Sequence, residues 1–144
     1  MFVGEYLRTL DKKGRVFIPS DFRDELIKGA VIVKGFDEPC LYLFSYEEWD
    51  KLGDQIQPKL ITKSDKSRFE RWFFSSARKI SIDPQGRINI PPELIAHAQL
   101  KKDIALIGVS NRIEIWDKDR WENYYKEAEN KFLQNNDAIE ELGN

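Results

Sequence analysis

The chain has 144 residues, 41% of them hydrophobic and 33% charged, which fits one compact domain or two very small ones and excludes a disordered chain. A formal net charge of −2 and a pI of about 5.6 exclude a protein that coats nucleic acid with its whole surface, so DNA binding would need a local basic site. No apolar run approaches the ~20 residues of a membrane span, MFVGEYLRTLD lacks the order of a secretory leader, and a lone Cys40 leaves no intrachain disulfide, so a cytoplasmic protein is expected.

In chain order, residues 6–10 read as a strand. A turn rich in Asp, Lys and Gly spans residues 11–15, and residues 15–18 read as a second strand, which Pro19 stops because it has no N–H for a ladder. Phe22 and Leu26, four apart, share one face of a short helix. Strands are expected over 30–35 and 41–44, followed by a helix that starts near Tyr46 and is closed by Pro58. Ser64 is placed to cap a helix carrying Phe69, Trp72 and Phe73 at i, i+3, i+4 spacing.

From Ser81 the order begins again. Residues 87–90 read as a strand, and Pro92 suits the first turn of a short helix with Leu94 and Ala98 on one face. Strands over 104–108 and 113–116 follow, then a helix from Asp117 with Trp121, Tyr124, Tyr125, Ala128 and Phe132 as an apolar stripe. The tail after Asn135 is expected to fray.

The second series repeats the first. TLDKKGRVFIP at 9–19 answers SIDPQGRINIP at 81–91, with Asp, Gly, Arg, Ile and Pro at a constant offset of 72 positions, and Trp49 answers Trp121 at the same offset. One repeat of about 45 residues is too small to bury a sufficient core by itself. Two repeats can share one core. If their hairpins interleave, the single chain becomes an internal pseudo-dimer with both turns at a tip or edge of a barrel.

The runs GEYLRTLDKKGRVFIP and DPQGRINIPPEL resemble the MraZ family, whose members carry two tandem AbrB-like (SpoVT-AbrB) modules. The resemblance covers almost the whole chain. It implies a mainly β fold with helices (α+β): two swapped-hairpin modules forming a pseudo-dimeric barrel, plus flanking helices. The modules would span 5–47 and 76–119, with a helical connection over 48–75 and a C-terminal helix and tail over 120–144. It also implies a DNA-binding regulator of the division and cell-wall gene cluster, including its own promoter. Such proteins assemble into rings and bind short direct repeats in double-stranded DNA. A cytoplasmic, nucleoid-associated protein with no cofactor, metal, membrane or small-molecule substrate is the expectation. Arg8 replaces the histidine common in the family, and Pro84 and Gln85 stand where the first motif has Lys12 and Lys13.

Arg15 is the first candidate for DNA contact, because a guanidinium can bond a guanine edge or a phosphate in a bidentate way. Lys12, Lys13 and Arg8 would neutralise phosphates around it. Asp11, Gly14, Asp83 and Gly86 read as turn chemistry: Asp accepts backbone N–H bonds and Gly takes positive φ. Arg15 could also pair with Asp11. Arg87, without adjacent lysines, is assigned either an ion pair or a second DNA contact.

An enzyme is rejected, since His97 and Cys40 have no repeat-related partners for a metal or nucleophile constellation, and no phosphate-cradling glycine loop occurs. The competing class is a ring-forming structural or interaction protein without specific DNA binding. An antitoxin-like AbrB partner is disfavoured by the fused duplication.

Overall fold

The computed structural model describes residues 1–55 and 62–134. Each repeat has the order strand, strand, short helix, strand, strand, helix. The first contains β1 (Glu5–Thr9), β2 (Arg15–Phe17), α1 (Ser20–Arg23), which runs into a 3-10 turn at Asp24–Leu26, β3 (Ala30–Lys34), β4 (Leu41–Ser45) and α2 (Tyr46–Gln55). A connecting helix, α3 (Lys63–Ser76), leads to β5 (Arg78–Ile80), β6 (Arg87–Asn89), α4 (Pro92–Ala98), β7 (Asp103–Val109), β8 (Arg112–Asp117) and α5 (Lys118–Gln134). The fold is thus mixed α+β with antiparallel sheet.

The described strands form two sheets rather than one closed barrel. Six run antiparallel in the order β1-β7-β8-β4-β3-β5, and β2 and β6 form a separate two-stranded ribbon. Besides the hairpins β3–β4 and β7–β8, every ladder among the described strands crosses the repeats: β1 lies on β7, β5 on β3, β4 on β8 and β2 on β6. Val16 faces Ile88 in the ribbon and Tyr42 faces Glu114 in the sheet, each pair 72 positions apart. An antiparallel pair centred on equivalent residues has a local twofold axis through it, so a local twofold relating the repeats passes through each of these two ladders.

The period-2 alternation of a strand sends neighbours to opposite faces. Leu41 and Leu43 enter a core that they share with Ile104, Leu106, Ile113 and Ile115 of the sheet, Val16 and Ile88 of the ribbon, and Phe22, Leu26, Leu94 and Ala98 of the short helices. Tyr42 and Phe44 point the other way, into a second cluster with Val33, Ala105, Trp116, Leu52 and Phe73. Both faces of the sheet are covered, which explains why its central strands are nearly continuous apolar runs.

Three local details differ from the sequence reading. Ser64 lies inside α3, and the cap is Thr62, whose extended backbone lets its hydroxyl accept from Asp65 N at 3.0 Å. Asp117 ends β8 rather than starting α5, because it pairs with Ile104 and its carboxylate accepts the Lys101 N–H at 3.3 Å. Ile18 falls outside β2 because its N–H donates in register to Gly86 O, 2.9 Å away, but Gly86 N turns back to Asp83 O and does not return the bond. Pro58 and the tail after Asn135 lie outside the described residues.

Because β1, β2, β3 and β4 each pair with a strand of the second repeat, a fragment ending at Thr62 loses four ladders and keeps only β3–β4. It is expected to aggregate, self-dimerise or remain unfolded. Dispersed amide signals from a monomeric fragment would contradict the shared core.

Candidate nucleic-acid interface

The two Asp-x-x-Gly-Arg turns are built alike. In the first, Asp11 N donates to Arg15 O and Gly14 N to Asp11 O, both at 3.0 Å. One Asp11 carboxylate oxygen accepts from Lys13 N and Arg15 N, both at 2.9 Å, while the other accepts from Arg15 Nε at 2.7 Å. In the second, Asp83 accepts from Gln85 N, Arg87 N and Arg87 Nε, all at 2.9 Å. Three donors on one carboxylate stabilise its charged form. Both aspartates are accordingly held below the usual carboxylate range, first by the backbone N–H of the arginine four residues on and further by its side chain, against some desolvation.

Gly14 and Gly86 have φ of +80° and +86°, a region costly for residues with a Cβ. At Gly14 space is short as well, since a Cβ would lie 2.9 Å from Ile90 O; at Gly86 it would meet only the movable end of Arg23 at 2.5–2.8 Å. The two turns are also tied reciprocally: Ile18 N donates to Gly86 O at 2.9 Å and Ile90 N to Gly14 O at 2.7 Å.

These bonds set the ribbon on the core and decide which side chains face out. Val16 and Ile88 are buried, so Arg15, Phe17, Arg87 and Asn89 share the opposite face. Arg15 stands across from Asn89, and Phe17 across from Arg87. Each arginine engages its aspartate through Nε, and neither pair of Nη groups has a hydrogen-bond partner among the described residues. The aspartate therefore aims the guanidinium and leaves its outer edge for an acceptor. Both readings of Arg87 rest on this geometry: the ion pair with Asp83, 2.9 Å, is formed, and the outer edge is presented as in Arg15.

The remaining candidates are placed less uniformly. Lys12 and Lys13 are exposed on the first turn. Arg8 lies on β1, donates to Leu7 O at 2.9 Å and stacks 5.5 Å over the Tyr6 ring, which holds it away from the turn's hydrogen-bond network. Arg23 stands closer in sequence to the first turn, yet its Nε donates to Ile18 O at 2.7 Å and its guanidinium lies against Gly86. The second turn thus gains a cation from the first repeat. Phe17, 48% exposed with the Arg87 guanidinium 5.8 Å from its ring centroid, was not picked out as a site residue. The signal available was alternation with Val16.

The other residues weighed for chemistry are structural. His97 Nε2 lies 3.0 Å from Gly35 O. Cys40 is buried, and desolvation pushes its thiol far above the usual range.

Since the folded-state pKa values of Asp11 and Asp83 are depressed, their stabilisation is full above the ordinary carboxylate pKa of about 3.9 and is lost as pH falls below it through the lower folded-state values. Asp11→Asn with Asp83→Asn should lower the melting temperature at pH 7, and the gap to wild type should narrow towards pH 3. Circular-dichroism melts across that range check this, and a gap of constant size would contradict it.

Comparison with known proteins matches this architecture to one family. The sequence profile described as "MraZ protein, putative antitoxin-like" matches residues 1–71 and 73–140, so each match contains one of the two turns. A protein of Ligilactobacillus salivarius (strain UCC118), "Transcriptional regulator MraZ", is 47% identical over 132 residues, covering 92% of this chain and 92% of that protein. The chain belongs to the MraZ family.

Proposed function

We propose that this chain is a sequence-specific DNA-binding transcriptional regulator that reads double-stranded DNA with the β2–β6 ribbon. The observation that carries the proposal is the outward face of that ribbon, where Arg15 and Arg87 are both aimed by an aspartate and both keep their Nη groups unpaired among the described residues. A major groove about 12 Å wide admits a two-stranded β-ribbon, and arginine paired with guanine O6 and N7 is the commonest specific contact there. Phe17 between them supplies an apolar surface of the kind that meets a thymine methyl. The relative's name, a transcriptional regulator, supports the same reading.

The ribbon has near-twofold backbone geometry but unequal chemistry. One turn carries Lys12 and Lys13, the other Pro84 and Gln85, and Phe17 is answered by Asn89. A symmetric ribbon would suit a palindrome, whereas this one has a direction, as direct repeats require. In this reading modules 5–47 and 76–119 act as an interleaved pseudo-dimer. The target is the division and cell-wall gene cluster with its own promoter, and the protein is nucleoid-associated when bound.

Self-assembly into a ring completes the proposal. Among the aromatics outside the repeated strands, Phe73 is buried and Trp49 and Trp121 are partly buried within the chain, so these three need no partner subunit. Trp72, Tyr124 and Tyr125 remain 40–49% exposed, joined by Phe132 and Leu133 of α5 at 55% and 65%. Light scattering at micromolar concentration should return a mass well above a dimer, and monomer mass would remove the ring.

A ring presents the same ribbon several times. Neighbouring ribbons on one DNA bind at an effective concentration of order mM, raising apparent affinity by roughly 10²–10⁴. Gel shifts with one to four repeats should show this gain and its loss when the spacing is changed by half a helical turn. Arg15→Ala should abolish specific binding, and Arg87→Ala should cost less, because the Arg15 end carries the lysines. Equal affinity for one repeat and four would refute multivalent binding. Equal losses in the two variants would refute the leading role of Arg15.

A further inference from the structure

Beside the first turn lies a cleft of about 630 Å³ lined by Lys12 and Asp11 from the first repeat and by Lys101 and Lys102 from the second, with Leu10, Ile95 and Leu100 among its apolar walls. Strand pairing brings these distant segments together. Thr9 of β1 faces Asp103 of β7, and Leu10 N donates to Lys102 O at 2.8 Å, which fixes the two-lysine corner next to the turn. All three lysines are exposed, and none forms an ion pair among the described residues. Asp11, the one carboxylate in the cleft wall, already binds Arg15 and two backbone N–H groups, while Asp103, exposed beside Lys102, lies outside the lining. Three cations thus gather around a concave surface whose own carboxylate is partnered.

On the reading that the ribbon enters a groove of DNA, we infer that Lys101 and Lys102 join Lys12 in holding the backbone phosphates beside the first turn, each lysine neutralising one. The strand flanking a groove passes close to either end of a ribbon seated in it, and phosphate contacts fix register without carrying sequence information. Lysine suits this role as a compact point charge. The corresponding place near the second turn differs, with Pro84 and Gln85 replacing the turn lysines and Arg23 lying over Gly86. The second repeat therefore strengthens the first repeat's end of the ribbon, and the phosphate contacts add to its direction.

The test compares wild type, Lys101→Gln with Lys102→Gln, and Lys101→Arg with Lys102→Arg in anisotropy titrations. The probe is a duplex of the DNA immediately upstream of the gene, measured against a scrambled duplex across ~0.05–0.3 M salt. Each lost phosphate contact reduces the slope of log K against log salt by about 0.9. The glutamine pair should lower the slope by about 1.8 and weaken binding roughly 30-fold at ~0.15 M salt. It should leave the ratio of specific to scrambled affinity unchanged, and the arginine pair should restore binding. Thermal melts exclude a purely structural effect, which would lower the melting temperature and leave the slope unchanged. Wild type that binds DNA while the glutamine pair keeps its slope and affinity overturns this inference alone. Wild type that binds neither duplex overturns the DNA-binding reading and this inference with it.

Discussion

The constraint on which the structure depends is the reciprocal tie between the two turns. Each turn must leave a carbonyl, that of Gly14 or Gly86, for the N–H that follows the other repeat's short strand. A glycine at positive φ makes that carbonyl available, and an aspartate carrying three donors holds the turn that contains it. Once both ties form, β2 lies on β6 with Val16 and Ile88 beneath it and the arginines above it. The core of the folded chain and the exposed arginine face are consequences of one arrangement, so a change in either turn is felt at both.

The tie also explains why the repeats are not separate units. A short ribbon of three residues per strand has little stability by itself. It persists because Ile18 and Ile90, immediately after the strands, are buried in the core that the sheet provides. The sheet in turn takes β1 and β5 from opposite repeats as its edges. Duplication within one chain supplies both halves at fixed stoichiometry, and it permits the halves to diverge. Arg23 on one side is answered by Ile95 on the other, and Lys12 and Lys13 by Pro84 and Gln85. Such divergence gives a twofold scaffold a front and a back.

Much of this was legible in the sequence because it is local. The aspartate, glycine and arginine of each turn, the stop at Pro19, the strand order and the amphipathic helices are matters of spacing and residue type. Pairing across the repeats was inferable from size alone, but its register was not, since register depends on which apolar residues meet in three dimensions. For the same reason the split into an open sheet and a separate ribbon, in place of one barrel, could not be read. Arg23 is near the first turn in sequence and lies against the second in space. Lys101 and Lys102 were silent for the converse reason: they are 89 or more positions from Lys12 in the chain and share its cleft only after β1 meets β7.

The central claim is that the ribbon face, and not the helical face of the sheet, meets DNA. Amide hydrogen exchange with and without a duplex carrying the upstream repeats tests it most directly. Protection that appears on DNA binding over residues 11–17 and 83–89, with α3 and α5 unchanged, is the result predicted. Protection confined to α3 or α5, with the two turns exchanging as in the free protein, would contradict the account.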